Sequence, residues 1–108
     1  MDLMKGTLDL LVLKTVSAGP LHGYAISRSI ARATGDVLTV EEGALYPALR
    51  RMEKRGLLKA RWGTTESGRE ARFYDLTAEG HRRLDAEVGR WEAYAAAMAR
   101  VIRGREAR

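Results

Sequence analysis

The stretch from Gly43 to Leu58, GALYPALRRMEKRGLL, puts Arg50, Arg51, Lys54 and Arg55 behind a proline in a run with helical apolar spacing. Clustered guanidinium and ammonium groups suit one chemistry above others, the binding of phosphate. The rest of the chain offers little competing chemistry. Glu41 and Glu42 are adjacent carboxylates, but no nucleophile or base accompanies them, so acid–base catalysis has no second partner. Their position suits the positive end of a helix dipole. His22 and His81 lack a third ligand for a metal and read as surface or capping residues. With no phosphate-binding glycine loop and no cysteine, the sequence points to no catalytic residue, metal or cofactor.

The size fits one domain with a modest core: the chain has 108 residues, 45% hydrophobic and 31% charged. Nineteen Lys and Arg against fourteen Asp and Glu give a net charge of +5. A basic balance favours a polyanionic partner. The absence of cysteine fits a reducing, cytoplasmic setting. The apolar stretch Leu8–Val16 is interrupted by Asp9 and Lys14 and is too short to span a bilayer, so no membrane partner is expected.

These cations must be held by elements that the periodicity outlines. A first helix is expected over residues 5–17, with Leu8, Leu11, Val12 and Thr15 on one stripe. A second runs from about His22 to Thr34, with Ile26 and Ile30 inward and Gly35 as a left-handed stop. A third begins near Thr39, whose spacing to Glu42 makes a capping box, and ends at Gly56. Leu57–Trp62 and Ala71–Leu76 then read as strands of a hairpin with a polar tip. Thr77 caps a long last helix reaching about Arg103, and a tail follows from Gly104. The fold class expected is mainly α with a small β-hairpin. The order helix, helix, helix, hairpin, helix is that of a winged helix-turn-helix plus a long C-terminal helix. The division expected is a DNA-binding unit over residues 1–76 and a dimerisation helix and tail over 77–108.

At 100° per residue, the third helix has two faces. Leu45, Ala48, Leu49 and Met52 share the aliphatic one; Gly43, Pro47, Arg50 and Lys54 share the other, with Tyr46 and Arg51 at its margins. Pro47 has two explanations. Either it lies inside the helix, pressing on the carbonyl of Gly43 four residues back, where glycine can give way. Or the regular helix starts later and Pro47 occupies its first turn. The cation face points to double-stranded DNA, with Arg50 matched to a base edge and Lys54 to phosphate.

Three segments in order, GPLHGYAI (Gly19–Ile26), GALYPALRRMEKRGLL and RFYDLTAEG (Arg72–Gly80), resemble the PadR family of bacterial transcriptional regulators. The resemblance covers the chain from about Lys5 to Arg103, and the single C-terminal helix is similar to the compact subgroup. It implies a homodimeric winged-helix repressor on a palindromic operator, with Tyr24, Tyr46 and Pro47 near DNA. It also implies that the hairpin cations Arg61, Arg69 and Arg72 touch phosphate, although Glu66 and Glu70 flank them. Family members often release DNA when a small planar or phenolic effector binds.

In the last helix Leu84, Val88, Trp91, Ala95, Met98 and Ile102 alternate by four and three, the pattern of a coiled-coil seam, and Tyr94 and Val101 widen it. At about 1.5 Å per residue, such a helix outruns what a domain of this size covers, so a second copy is the expected partner. Gly89 costs about 1 kcal/mol in its interior. The resemblance implies a further role for Trp91, stacking on an aromatic effector at the interface. The functional expectation is a sequence-specific DNA-binding repressor; the alternative is a winged-helix module whose third helix meets protein.

Overall fold

The computed structural model describes residue 1, residues 3–4 and residues 6–104. Four helices and three strands follow in the order α1 (Leu8–Val16), β1 (Leu21–His22), α2 (Gly23–Ala33), α3 (Glu42–Lys54), β2 (Leu58–Thr64), β3 (Glu70–Leu76) and α4 (Ala78–Arg103). This is a winged helix-turn-helix. β2 and β3 form the wing, an antiparallel hairpin registered from Leu58 opposite Leu76 to Thr64 opposite Glu70. The hairpin extends further toward its tip than its apolar residues suggest. A third strand, β1, goes beyond the sequence pattern: Leu21 pairs with Tyr74 and His22 with Phe73, giving the sheet order β1-β3-β2.

The core fills the space between α1, α2, α3 and the root of the wing. Leu13, Ile26, Leu45, Leu49, Met52, Val12 and Val16 are fully buried. Each such side chain contributes about 1.5–3 kcal/mol by leaving water. The stripe expected on α1 needs correction. Val12 is buried, but Leu13 and Val16 join it at full depth, whereas Leu8 and Leu11 only border the core and Thr15 is half-buried, its hydroxyl donating to the Leu11 carbonyl. α1 touches α2, α3, α4 and β3, and a helix covered on several sides has no single apolar stripe. It is also shorter than expected; its expected first residue, Lys5, lies outside the described residues.

Both glycine stops behave as anticipated. After α2, Gly35 takes a φ of +57°, and the Asp36 amide donates to the Ala31 carbonyl at 2.7 Å. After α3, Gly56 takes +77°, the Leu57 amide reaches the Met52 carbonyl and the Gly56 amide the Glu53 carbonyl, each at 3.0 Å. Both are Schellman endings. The start of α3 differs from expectation. Thr39 forms no cap; the N-cap is Glu41, without a side-chain bond. Leu38 and Val40 pack against the core and hold the preceding segment out of the helix. Pro47 is nevertheless interior, the sixth residue of α3, so the first-turn explanation does not hold. A Cβ on Gly43 would meet nothing within 4 Å, which leaves the backbone opposite the proline room to adjust.

One joint fixes α4 to the end of α3. The Thr77 hydroxyl accepts from the Gly80 amide at 2.9 Å and donates to the Gly56 carbonyl at 2.6 Å. The Thr77 amide donates to the Leu57 carbonyl at 3.2 Å. Gly80 is buried so closely that a Cβ there would clash with that same Leu57 oxygen, only 2.1 Å away. From this joint α4 runs 26 residues to Arg103, and the molecule measures 56 × 29 × 22 Å. Gly104 closes the helix; the remainder of the tail lies outside the described residues.

Candidate nucleic-acid interface

α3 presents the two faces expected. Leu45, Ala48, Leu49 and Met52 are buried, while Gly43, Tyr46, Pro47, Arg50 and Lys54 are exposed or nearly so. Tyr46, Pro47, Arg50 and Lys54, with Arg51 and Arg55, line an open hollow of about 600 Å³. Among the described residues, Arg50, Lys54 and Arg55 form no ion pair, so their charges face outward uncompensated.

Two cations expected at DNA have partners within the chain. Arg51 pairs with Asp9 of α1. On the opposite flank, Arg72 of β3 pairs with Glu53 of α3 at 2.7 Å. Both pairs are part-exposed and contribute about 1 kcal/mol or less to stability. Their effect is directional: they pin α3 from both sides, to α1 and to the wing, and leave its middle row free. Arg72 is further committed, since its guanidinium lies 6.0 Å from the Trp62 ring and its Nε is buried without a partner. It braces the wing from within the chain. Arg61 and Arg69 remain exposed, as do Glu66 and Glu70 beside them. The wing tip is a bonded turn in which the Arg69 amide donates to the Thr65 hydroxyl at 3.1 Å.

The tyrosines divide. Tyr24, on α2, is 62% exposed and is no part of the core. Tyr46 lays its ring on Gly23, where a Cβ would come within 2.6 Å of it, and keeps its outer edge in solvent. Burial, then the Glu42 carboxylate and Tyr74, push its phenol above the ordinary 10.0. It is therefore a neutral donor at physiological pH. Any stability tied to the protonated phenol is complete below pH 10 and is lost as pH rises through the raised value. Gly23 escapes a reading of the sequence alone; the signal is a glycine at a helix start whose neighbour in space is an aromatic. His22 caps α2, its Nδ1 accepting from the Ala25 amide at 3.4 Å, and packs edge-on against Phe73 at 5.3 Å. His81 is exposed. Among the described residues no cluster could hold a metal ion.

The seam on α4 divides as well. Leu84 is buried in the core of its own chain, and Val88 is half-buried against that core. From Trp91 onward the apolar row is open: Tyr94, Met98, Val101 and Ile102 are exposed and Ala95 is half-buried. Trp91 also borders an apolar hollow of about 320 Å³ formed with Met4, Leu10, Leu11 and Leu38. No helix is long and apolar enough to cross a membrane.

Known proteins match this architecture. The model of the transcriptional regulator PadR-like family matches residues 12–86. A relative from Lysinibacillus sphaericus is 29% identical over 90 residues, covering 83% of each chain. A transcriptional regulator from Clostridium thermocellum superposes with a TM-score of 0.80 at 28% identity, covering 88% of this chain and 92% of that one. A PadR family transcriptional regulator from Eggerthella lenta gives 0.77 at 32% identity, covering 91% and 83%. A helix-turn-helix with a paired wing, a cationic outer row on α3 and a match over most of the chain place this protein in the PadR-like family of transcriptional regulators.

Proposed function

We propose that the chain is a sequence-specific repressor that binds a palindromic operator as a homodimer. The observation behind this reading is the outer row of α3, where Arg50 and Lys54 stand uncompensated while the cations on its flanks are held in ion pairs. Two copies of α3 about 34 Å apart would enter successive major grooves on one side of the duplex. Wing residues Arg61 and Arg69 would add phosphate contacts. The test is an electrophoretic shift with duplex from the chain's own promoter region. A shift in dilute buffer that persists against excess unrelated DNA supports the reading; no shift refutes it and favours the protein-interaction alternative.

The open row on α4 supports the dimer. Five apolar side chains from Trp91 to Ile102 stand in water in the single chain, and such a row calls for cover. Met98→Glu together with Ile102→Glu is expected to convert a sedimenting dimer into a single copy and to weaken operator binding at least tenfold, because burying like charges on a two-fold seam is costly. The hollow beside Trp91 suits a small planar aromatic effector. With Trp62 replaced by Phe, saturable quenching of Trp91 by such a compound supports that part of the proposal, and its absence across a broad panel removes it.

A further inference from the structure

Trp62 has no role in the interface described so far, yet its surroundings are built. It lies on β2 directly opposite Arg72 of β3. Leu58 and Ala60 precede it on the same face of the strand, by the two-residue alternation of a pleated sheet. Leu58 is buried and Ala60 half-buried, but Trp62 is 65% exposed. It is thus the residue at which this face of the wing leaves the core. One side of its indole lies over the Arg72 guanidinium, which Glu53 in turn holds at 2.7 Å. Glu53 is three residues beyond Arg50, on the neighbouring row of α3. From Glu53, beside the cation row of α3, contacts therefore run through Arg72 to an indole that stays mostly exposed.

We infer that Trp62 is a DNA-contacting residue: its indole lies against the deoxyribose wall of the groove next to the one α3 enters. This rests on the DNA-binding reading above and extends it to a side chain that carries no charge. Groove walls offer apolar sugar edges between phosphates, and an aromatic that must stay in water otherwise gains by covering them. Arg72 suits the part of a support. Its charge is neutralised by Glu53, so it does not compete for phosphate, and it sets the indole plane from behind through a cation–π contact. The indole contact is sequence-tolerant, because every nucleotide presents the same sugar.

The experiment uses the full chain with Trp91→Phe, leaving Trp62 as its one indole, and titrates in operator duplex. The expected result is a saturable change in Trp62 emission whose midpoint coincides with that of the gel shift. Trp62→Ala in the otherwise unmodified chain should lower affinity about tenfold for operator and unrelated duplex alike, and Trp62→Phe should restore it to within about threefold. If duplex shifts the gel while Trp62 emission stays constant and Trp62→Ala binds undiminished, the inference falls and the DNA-binding reading survives. If no duplex binds, both fall. Should Trp91→Phe disturb assembly, fluorine NMR of the chain labelled with 5-fluorotryptophan reads the two indoles separately, and an unmoved Trp62 resonance in the complex overturns the inference equally.

Discussion

Gly80→Ala lowers the melting temperature by roughly 10–30 °C. The substituted carbon would stand 2.1 Å from the Leu57 carbonyl oxygen and 3.1 Å from Leu76 Cδ2. The oxygen is backbone, and it already accepts from the Thr77 amide, so it cannot retreat without breaking the joint between α3 and α4. Overpacking against so rigid a neighbour costs about 2–4 kcal/mol even after alanine's better helix propensity is credited. A domain of this size loses roughly 4–8 °C per kcal/mol. Gly89→Ala is the control. Nothing lies within 4 Å of a Cβ there, so the same change in the same helix should raise stability by up to about 1 kcal/mol. Thermal unfolding at matched protein concentration reads both. Equal melting temperatures for the two variants would show that the joint yields.

The second large effect concerns recognition. Arg50→Ala should cost about 1–3 kcal/mol per half-site on the preferred operator and almost nothing on unrelated duplex, so the preference between them collapses. Lys54→Ala should weaken all duplexes alike. It should also flatten the dependence of log affinity on log salt by about one unit for each phosphate that the ammonium neutralises. The paired arginines behave otherwise. Asp9 already balances Arg51, and Glu53 balances Arg72, so replacing either arginine should alter the slope less than replacing Lys54. Titrations at several salt concentrations separate these cases; a slope unchanged by Lys54→Ala would remove its phosphate assignment.

Much of this arrangement is legible along the chain because it depends on local rules. The aliphatic row Leu45, Ala48, Leu49 and Met52 follows the helical period, and the stops at Gly35 and Gly56 follow from the left-handed backbone each ending requires. Thr77 is recognisable as a cap for the same reason. What escapes depends on contacts distant in sequence. β1 is two residues long and exists because β3 has a free edge for Leu21 and His22 to pair with. The capping box at Thr39 satisfies the local pattern but loses to the packing of Leu38 and Val40. The partners of Arg51 and Arg72 lie on other elements, beyond the reach of the helical period that set Arg51 at the margin of the outer face and of the resemblance that implied a phosphate contact for Arg72. Gly89 looks like the costly glycine of α4, whereas the constraint sits at Gly80, visible only once the Leu57 carbonyl is beside it.

The 56 Å long axis has a consequence for how the protein responds to its own abundance. The radius of gyration, 15.7 Å, exceeds the roughly 13 Å of a compact chain of this length, because the far half of α4 extends past the body. Under the proposed pairing, stability and operator occupancy both become functions of dose. Dilution toward the dissociation constant empties the operator faster than in proportion, since two chains must meet before either reads a half-site. A regulator built this way would switch over a narrower span of expression than one that folds and binds alone.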